Sequence, residues 1–194
     1  MTSLDHDEVS TLLHASSGGD ALARGVLFAR VYSELHAQAH NALQQGGHRS
    51  PILNTTALLH ETYLRMVEPK KVLPEDKSHF FALAATIMRG VVVDHARRVA
   101  AQKRGGGLTI KSIEDSQIVI DDDQALDIVA LDAALNDLER IHERLAKVVE
   151  LRFFGGQSVE ETASILGVTD RTIKRDWRAA RALLIQRIEL ARSR

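Results

Sequence analysis

Arginine recurs on one side of the segment RTIKRDWRAAR, which lies near the end of the chain. At the helical angle of about 100° per residue, Arg171, Arg175 and Arg178 fall within a sector roughly 60° wide. An arginine can form two hydrogen bonds with guanine O6 and N7, so this face could read a base pair in the major groove of DNA. The opposite side of the same helix is apolar and consists of Ile173, Trp177, Ala180 and Leu184.

A second, shorter helix is predicted directly before this one. Val159, Thr162 and Leu166 recur at helical spacing, and Gly167 follows where a tight turn needs a residue that tolerates positive φ. Thr169 is a suitable N-cap for the arginine-bearing helix. The two helices and their turn predict a helix-turn-helix, with Thr172 and Lys174 beside the arginine sector. Arg181 and Arg187, farther along, suit contacts with phosphates, which position a protein without specifying sequence.

The elements that must position this device are helical, because the 194 residues are rich in good helix formers and hold 3 prolines and no cysteine. The absence of cysteine excludes a disulfide scaffold and thiolate chemistry. The net charge is −1, but its distribution is uneven. A basic stretch over 89–111 precedes the segment 114–127, which carries six carboxylates and no Lys or Arg, and the chain is basic again from Arg171.

Helical spacing and glycine breaks predict an all-α fold of two small helical domains joined by a flexible acidic linker. The first domain covers 10–105 and includes a long helix for which Ser78 is a plausible N-cap. The triple glycine at 105–107 ends this helix and opens the linker over 106–127. The second domain covers 128–192, with two helical segments stopped by Gly155-Gly156 before the helix-turn-helix.

These motifs resemble those of a known family, the bacterial sigma factors. LNDLERIHERLAKVVELRFFGGQSVEETASILGVTDRTIKRDWRAARALL is similar to sigma region 4, which binds the minus-thirty-five element. NTTALLHETYLRMVE and FFALAATIMRGVVVDHARRVAAQKRGGG are similar to the parts of region 2 that bind core RNA polymerase and melt promoter DNA. The resemblance covers nearly the whole sequence and points to the extracytoplasmic-function, or group IV, sigma factors of the sigma-70 family.

The resemblance implies a role for each group of residues. The loop lysines and the cations of the long helix would hold the minus-ten DNA, the arginine face would read the minus-thirty-five duplex, and one helix face would contact core polymerase. The minus-ten set comprises Lys70, Lys71, Lys77, His79, Arg89, Arg97, Arg98, Lys103 and Arg104; the minus-thirty-five set Arg171, Thr172, Lys174, Arg175 and Arg178; and the polymerase set Glu61, Thr62 and Arg65.

One departure from the family pattern concerns the start of the polymerase-binding helix. Family members usually carry an acidic cluster such as Asp-Ala-Glu-Asp there, whereas this sequence reads LNTTALLHE. We hypothesise that a Ser/Thr protein kinase phosphorylates Thr55 or Thr56 and thereby restores the missing charge at a helix N-terminus. The alternative is that Asn54, Thr55 and Thr56 only cap the helix. An anti-sigma factor is a further candidate regulator.

Two other functions remain open at this level. One is a helix-turn-helix transcriptional regulator that binds duplex DNA without joining polymerase; the other is a helical adaptor with no nucleic-acid role. The sequence offers no credible catalytic set, so we expect neither an enzyme nor a cofactor, and no metal site, since His36 and His40 lack an identifiable third ligand. With no signal-like or membrane-spanning apolar stretch, a cytoplasmic location without membrane insertion is expected.

Overall fold

The computed structural model describes residues 6–17, 19–45, 55–66, 74, 76–104 and 122–192. All of the regular elements in these ranges are helical, as the sequence predicts. A π-helical turn, Glu150–Phe154, continues directly from the sixth helix. The α-helices are α1 His6–Ser17, α2 Ala21–Gln45, α3 Thr55–Met66, α4 Lys77–Arg104, α5 Asp122–Ile141, α6 Glu143–Val149, α7 Val159–Leu166 and α8 Asp170–Arg192.

Helices α1 to α4, here called the first half, pack in sequence, each against the next one along the chain. Leu27, Val31, Leu35 and Ala39 recur at helical spacing along α2, and all four are buried. Helix α4 is helical through its β-branched run Val91-Val92-Val93, and these three side chains are buried as well. Burial of apolar area against neighbouring helices therefore overrides the weak local preference of valine for strand.

The start of α4 differs from the sequence-based expectation. Asp76, and not Ser78, provides the cap: its Oδ1 accepts a hydrogen bond of 2.9 Å from the backbone N–H of His79. Its carbonyl oxygen accepts another, of 3.0 Å, from Phe80 N–H. Both residue types are good N-caps, and the chain uses the earlier one, which adds residues to the helix.

Helices α5 to α8, here called the second half, begin earlier than predicted. The linker was expected to reach residue 127, but α5 starts at Asp122, and Ala125 within the expected linker is fully buried. The rest of that linker, through 121, lies outside the described residues. The predicted stop after the second helical segment is confirmed, since the π-helical turn ends at Gly155 and Gly156 follows with φ of 62°.

The two halves are joined by a continuous hydrophobic core, a cluster of buried residues drawn from both. Helix α4 packs along α5, against the π-helical turn and against α7. The two halves approach closely at Gly155, where an added Cβ would lie 2.5 Å from the Cβ of Ala85 on α4. The chain therefore needs a glycine at 155 to bring the halves together in this way, while the division into two domains stays a prediction.

None of the helices in the described part of the chain combines the length and the apolar character that a membrane crossing requires.

Candidate nucleic-acid interface

The helix-turn-helix is fixed by three local interactions that the sequence encodes. Ser158 and Glu161 form a capping box at the start of α7, in which the Ser158 hydroxyl accepts from Glu161 N–H and the Glu161 carboxylate accepts from Ser158 N–H. Gly167 ends α7 in the left-handed conformation, at φ 64° and ψ 34°. Thr169 then caps α8, accepting a hydrogen bond of 3.3 Å from Thr172 N–H. The predicted turn and cap are both confirmed.

The inner side of α8 is buried as its spacing predicts. Ile173 and Ala180 are fully buried, Leu184 is 6% exposed, and Trp177 packs half-buried against the same cluster. The guanidinium of Arg152 lies over the Trp177 ring, 4.8 Å from its centre, in a cation–π contact. The orientation of α8 is therefore set by its apolar side, and this leaves the arginine side outward.

A buried carboxylate on α8 adds a second constraint that the sequence interpretation missed. The side chain of Asp176 is 4% exposed and accepts a hydrogen bond of 2.8 Å from Nε of Arg144, at the start of α6. It also accepts two bonds of 3.2 Å from Arg175. The ion pair with Arg144 links α8 to α6, and the one with Arg175 holds one of the expected base-reading side chains close to the helix surface.

The other predicted base-reading cations of α8 are not held by a described carboxylate in the way that Arg175 is. Arg171, Lys174 and Arg178 are exposed and form no ion pair with any other described residue. Thr172 is half-buried and its hydroxyl lies 3.0 Å from that of Thr169. Of the five residues predicted to read the minus-thirty-five element, three cations thus project freely, and Thr172 and Arg175 are engaged in local hydrogen bonds.

The cations of α4 have different surroundings, since Arg89 lies between the two halves. Its Nε and one terminal nitrogen donate to Asp132 Oδ1 at 2.9 and 2.7 Å, and its other terminal nitrogen donates to Glu150 Oε2 at 3.2 Å. Asn136 Oδ1 accepts a further bond of 2.6 Å. The Arg89 side chain is only 11% exposed. All three of its nitrogens are therefore occupied by the second half of the chain.

Arg97, two turns farther along α4, joins the same group with a hydrogen bond of 3.0 Å to Asp132 Oδ2. On the other side, Glu150 Oε1 accepts from Thr86 at 2.7 Å and from Lys147 at 2.6 Å. Burial acts to raise the pKa of Glu150, but the hydrogen bonds and charges of Lys147, Thr86 and Arg89 outweigh it and hold that pKa below its usual value. The carboxylate is therefore ionised at neutral pH.

The described residues among the rest of the predicted minus-ten set have surroundings of their own. Lys77 pairs with Glu34 at 3.1 Å, the exposed ring of His79 bonds to the Asp76 carboxylate, and Arg98 is exposed. Burial acts to raise the pKa of Asp76, but the hydrogen bonds from the His79 side chain and backbone lower it on balance. Lys70 and Lys71 lie outside the described residues, as do the side chains of Lys103 and Arg104.

The predicted polymerase-binding face of α3 needs one correction. Thr62 is fully buried, and its hydroxyl donates to the carbonyl oxygen of Leu58 at 2.7 Å, so this side chain faces the core. Its spacing from Leu58 and Met66 places it on the buried stripe, where a threonine is accepted because its hydroxyl is satisfied within the helix. Glu61 and Arg65 do lie together at the surface, 3.3 Å apart, and Arg65 also pairs with Asp94 on α4 at 3.0 Å.

Sequence reasoning missed Asp132 and Glu150, although a signal was present. Asp132 lies on the apolar stripe of α5, between Ile128 and Leu135, and Glu150 interrupts the apolar run VVELRFF. A carboxylate on a buried stripe requires a partner with opposite charge. No group of three or more potential metal ligands occurs among the described residues.

A comparison with protein families identifies the family of the chain. The model of the ECF sigma factor family matches residues 6–189, which is nearly every described residue. The chain belongs to the ECF sigma factor family. This family consists of transcription factors and not of enzymes, in agreement with the sequence-based expectation.

One curated relative of this ECF sigma factor is similar along most of its sequence. It is the ECF RNA polymerase sigma factor BldN of Streptomyces coelicolor, which is 27% identical over 183 residues. The match covers 92% of this chain and 66% of the relative, so the chain spans just under two thirds of the relative's length.

Proposed function

We propose that this chain binds core RNA polymerase and directs transcription initiation at promoters whose minus-thirty-five element is read by α8. The observation that carries the proposal is the two-sided structure of α8. Its inner side is buried, and Arg171, Lys174 and Arg178 are exposed on the other side. A helix with this division can lie in a major groove without disturbing the core beneath it.

The family supports the polymerase-binding part of the proposal, and α3 supplies a candidate contact surface. Glu61 and Arg65 are the surface residues of that helix from the predicted set, with Thr62 removed because it is buried. The cations of α4 are proposed to hold the minus-ten strand. For Arg89 and Arg97 this role requires that their ion pairs with Asp132 and Glu150 be exchanged for phosphates.

A titration of core RNA polymerase with this protein, followed by transcription from a promoter library, tests the proposal. Wild type is expected to bind polymerase and to initiate at a defined set of promoters. The Arg171→Ala/Arg178→Ala variant should still bind polymerase but lose promoter selection, whereas Arg30→Ala, an exposed arginine on α2, should behave as wild type. If no form binds polymerase while the wild type binds duplex DNA, the chain acts as a helix-turn-helix regulator instead.

The proposal extends to phosphorylation at Thr55 or Thr56 as an activating step. Both residues are half-buried in the first turn of α3, where a phosphate would meet the positive end of the helix dipole. A Thr55→Glu/Thr56→Glu variant is then expected to bind core polymerase more tightly than protein prepared without a kinase, with Thr55→Ser/Thr56→Ser as the control. Equal affinities would show that these threonines only cap the helix.

A further inference from the structure

The two halves are joined by a group of four charged residues, which we call the bridging cluster: Arg89 and Arg97 from α4, Asp132 from α5, and Glu150 from the π-helical turn. Asp132 accepts from both arginines and Glu150 accepts from Arg89. The partners are 35 to 61 residues apart in the sequence. Every pair in the cluster therefore joins the first half to the second half.

Three members of the bridging cluster are removed from solvent. The side chains of Arg89, Asp132 and Glu150 are 11%, 8% and 7% exposed, while Arg97 remains 57% exposed at the edge. The guanidinium nitrogens of Arg89 donate hydrogen bonds to the carboxylate oxygens of Asp132 and Glu150, in the way that they would donate to the oxygens of a phosphate. The acidic groups of the second half thus occupy the cations of α4 that are expected to hold DNA.

We propose that Asp132 and Glu150 act as an intramolecular substitute for nucleic-acid phosphate and hold the free chain in a closed state that cannot bind minus-ten DNA. The proposal rests on the function proposed above, in which the α4 cations bind the DNA backbone. In the closed state DNA competes with two carboxylates that are covalently tethered to the same chain. Binding of DNA or polymerase must therefore separate the halves before Arg89 is accessible.

The chemistry of the bridging cluster suits a contact that must open. A buried ion pair gains little over the solvated ions, because the loss of hydration offsets much of the attraction. After the exchange of carboxylate for phosphate the arginines are again paired, Glu150 keeps its pair with Lys147, and separation of the halves returns Asp132 to water, so no buried charge is left alone. A ligand that binds only the open state shifts the equilibrium between the closed and open states toward the open one, and its full binding free energy contributes to that shift.

The first test measures the separation of the halves in the free protein, without DNA or polymerase. The chain has no cysteine, so Ala29→Cys on α2 and Ala182→Cys on α8, both exposed, give a unique pair of sites for fluorescent labels. The labelled Asp132→Asn/Glu150→Gln variant is expected to show a larger fraction of molecules with a long distance between the labels than wild type. Asp137→Asn is the matched control, because Asp137 is also on α5 but pairs with Arg140 and Arg187 of its own half.

A steric variant tests the same opening with all charges intact. Ala85 lies against Gly155, so Ala85→Leu should force the halves apart, whereas Ala101→Leu on the exposed side of α4 should not. Helix content measured by circular dichroism shows whether each variant is folded. If the folded charge variant and the folded steric variant both keep the wild-type distance distribution, the closed state does not depend on this contact and the proposal is wrong.

The second test measures the affinity of the same proteins for a forked promoter DNA with a single-stranded minus-ten segment. Opened variants are expected to bind at least tenfold more tightly than wild type, which corresponds to about 1.4 kcal/mol, and Asp137→Asn should match wild type. Unchanged or weaker binding by variants that do open would overturn the inhibitory role. If the variants open but no form, wild type included, binds DNA, then the proposed function fails and the inhibitory role fails with it.

Discussion

The two cationic helices of this sigma factor differ in what their charges contact. On α8, Arg171, Lys174 and Arg178 project away from the protein, and the helix is held by the apolar residues on its other side. On α4, Arg89 and Arg97 are bound to carboxylates of the second half. Cations of the same kind are therefore exposed on one helix and paired with carboxylates of the other half on the second helix.

Removal of Arg89 should have the largest effect on stability. Arg89→Ala leaves the buried carboxylates of Asp132 and Glu150 without this partner, and loss of one side of a buried ion pair costs about 3–5 kcal/mol. Urea unfolding of Arg89→Ala and of Arg98→Ala, an exposed arginine on the same helix, measures the difference. Equal free energies of unfolding for the two variants would show that Arg89 contributes no more to stability than an exposed arginine of the same helix.

The arginines of α8 should affect binding and not stability. Each of Arg171→Ala and Arg178→Ala is expected to weaken binding to the preferred duplex by about 1–3 kcal/mol if it contacts a base, with unfolding free energy within about 0.5 kcal/mol of wild type. Fluorescence anisotropy at several salt concentrations separates base from phosphate contacts, because loss of a phosphate contact lowers the salt dependence. A stability loss as large as that of Arg89→Ala would contradict the comparison.

The turn before α8 should show a smaller, purely conformational effect. Gly167 has φ of 64° and no atom within 4 Å of an added Cβ, so the cost of a side chain comes from the backbone alone. Gly167→Ala is expected to lose about 1–2 kcal/mol of unfolding free energy, whereas Gly167→Asn should lose less, because asparagine tolerates this region. Thermal unfolding of both variants checks the order, and equal losses would indicate a steric cause instead.

Acidification is expected to have the smallest effect of these changes, a partial loss of the stability that the bridging cluster contributes. The folded state holds the pKa of Glu150 below its ordinary value of 4.5, so its stabilising contribution is present above pH 4.5 and is lost as the pH falls through the lower folded value. Lys147 and Arg89 face this carboxylate. Glu150→Gln should therefore flatten the acid side of a stability–pH profile; a profile as steep as that of wild type would assign the acid sensitivity to other groups.

The helix-turn-helix was predictable from the sequence because its determinants are local. Gly167, Thr169 and the buried side of α8 lie within 18 residues of one another, and each acts through a neighbour along the chain. The bridging cluster was not predictable in the same way, since Arg89 meets Glu150 across 61 positions. Spacing along one helix shows that a carboxylate lies on a buried stripe, but not which cation of another helix reaches it.

The errors at α3 and at the start of α5 have the same origin. The resemblance to the family implies a polymerase-contacting role for Thr62, yet its hydroxyl is satisfied by the backbone of its own helix and its side chain is buried. The stretch before residue 128 is predicted as linker because it follows the triple glycine and shows no clear helical spacing, yet Ala125 packs into the interior. In both cases packing against another helix decided the outcome, and neither a family motif nor local spacing carries information about that partner.

The continuous core has a consequence for the solubility of this protein once its halves separate. Residues from both halves belong to one cluster of buried apolar side chains, so separation brings some of them into contact with water. Large exposed apolar patches promote self-association. An opened chain should therefore be poorly soluble when it is alone, and a partner that covers the newly exposed surface would act as its chaperone as well as its target.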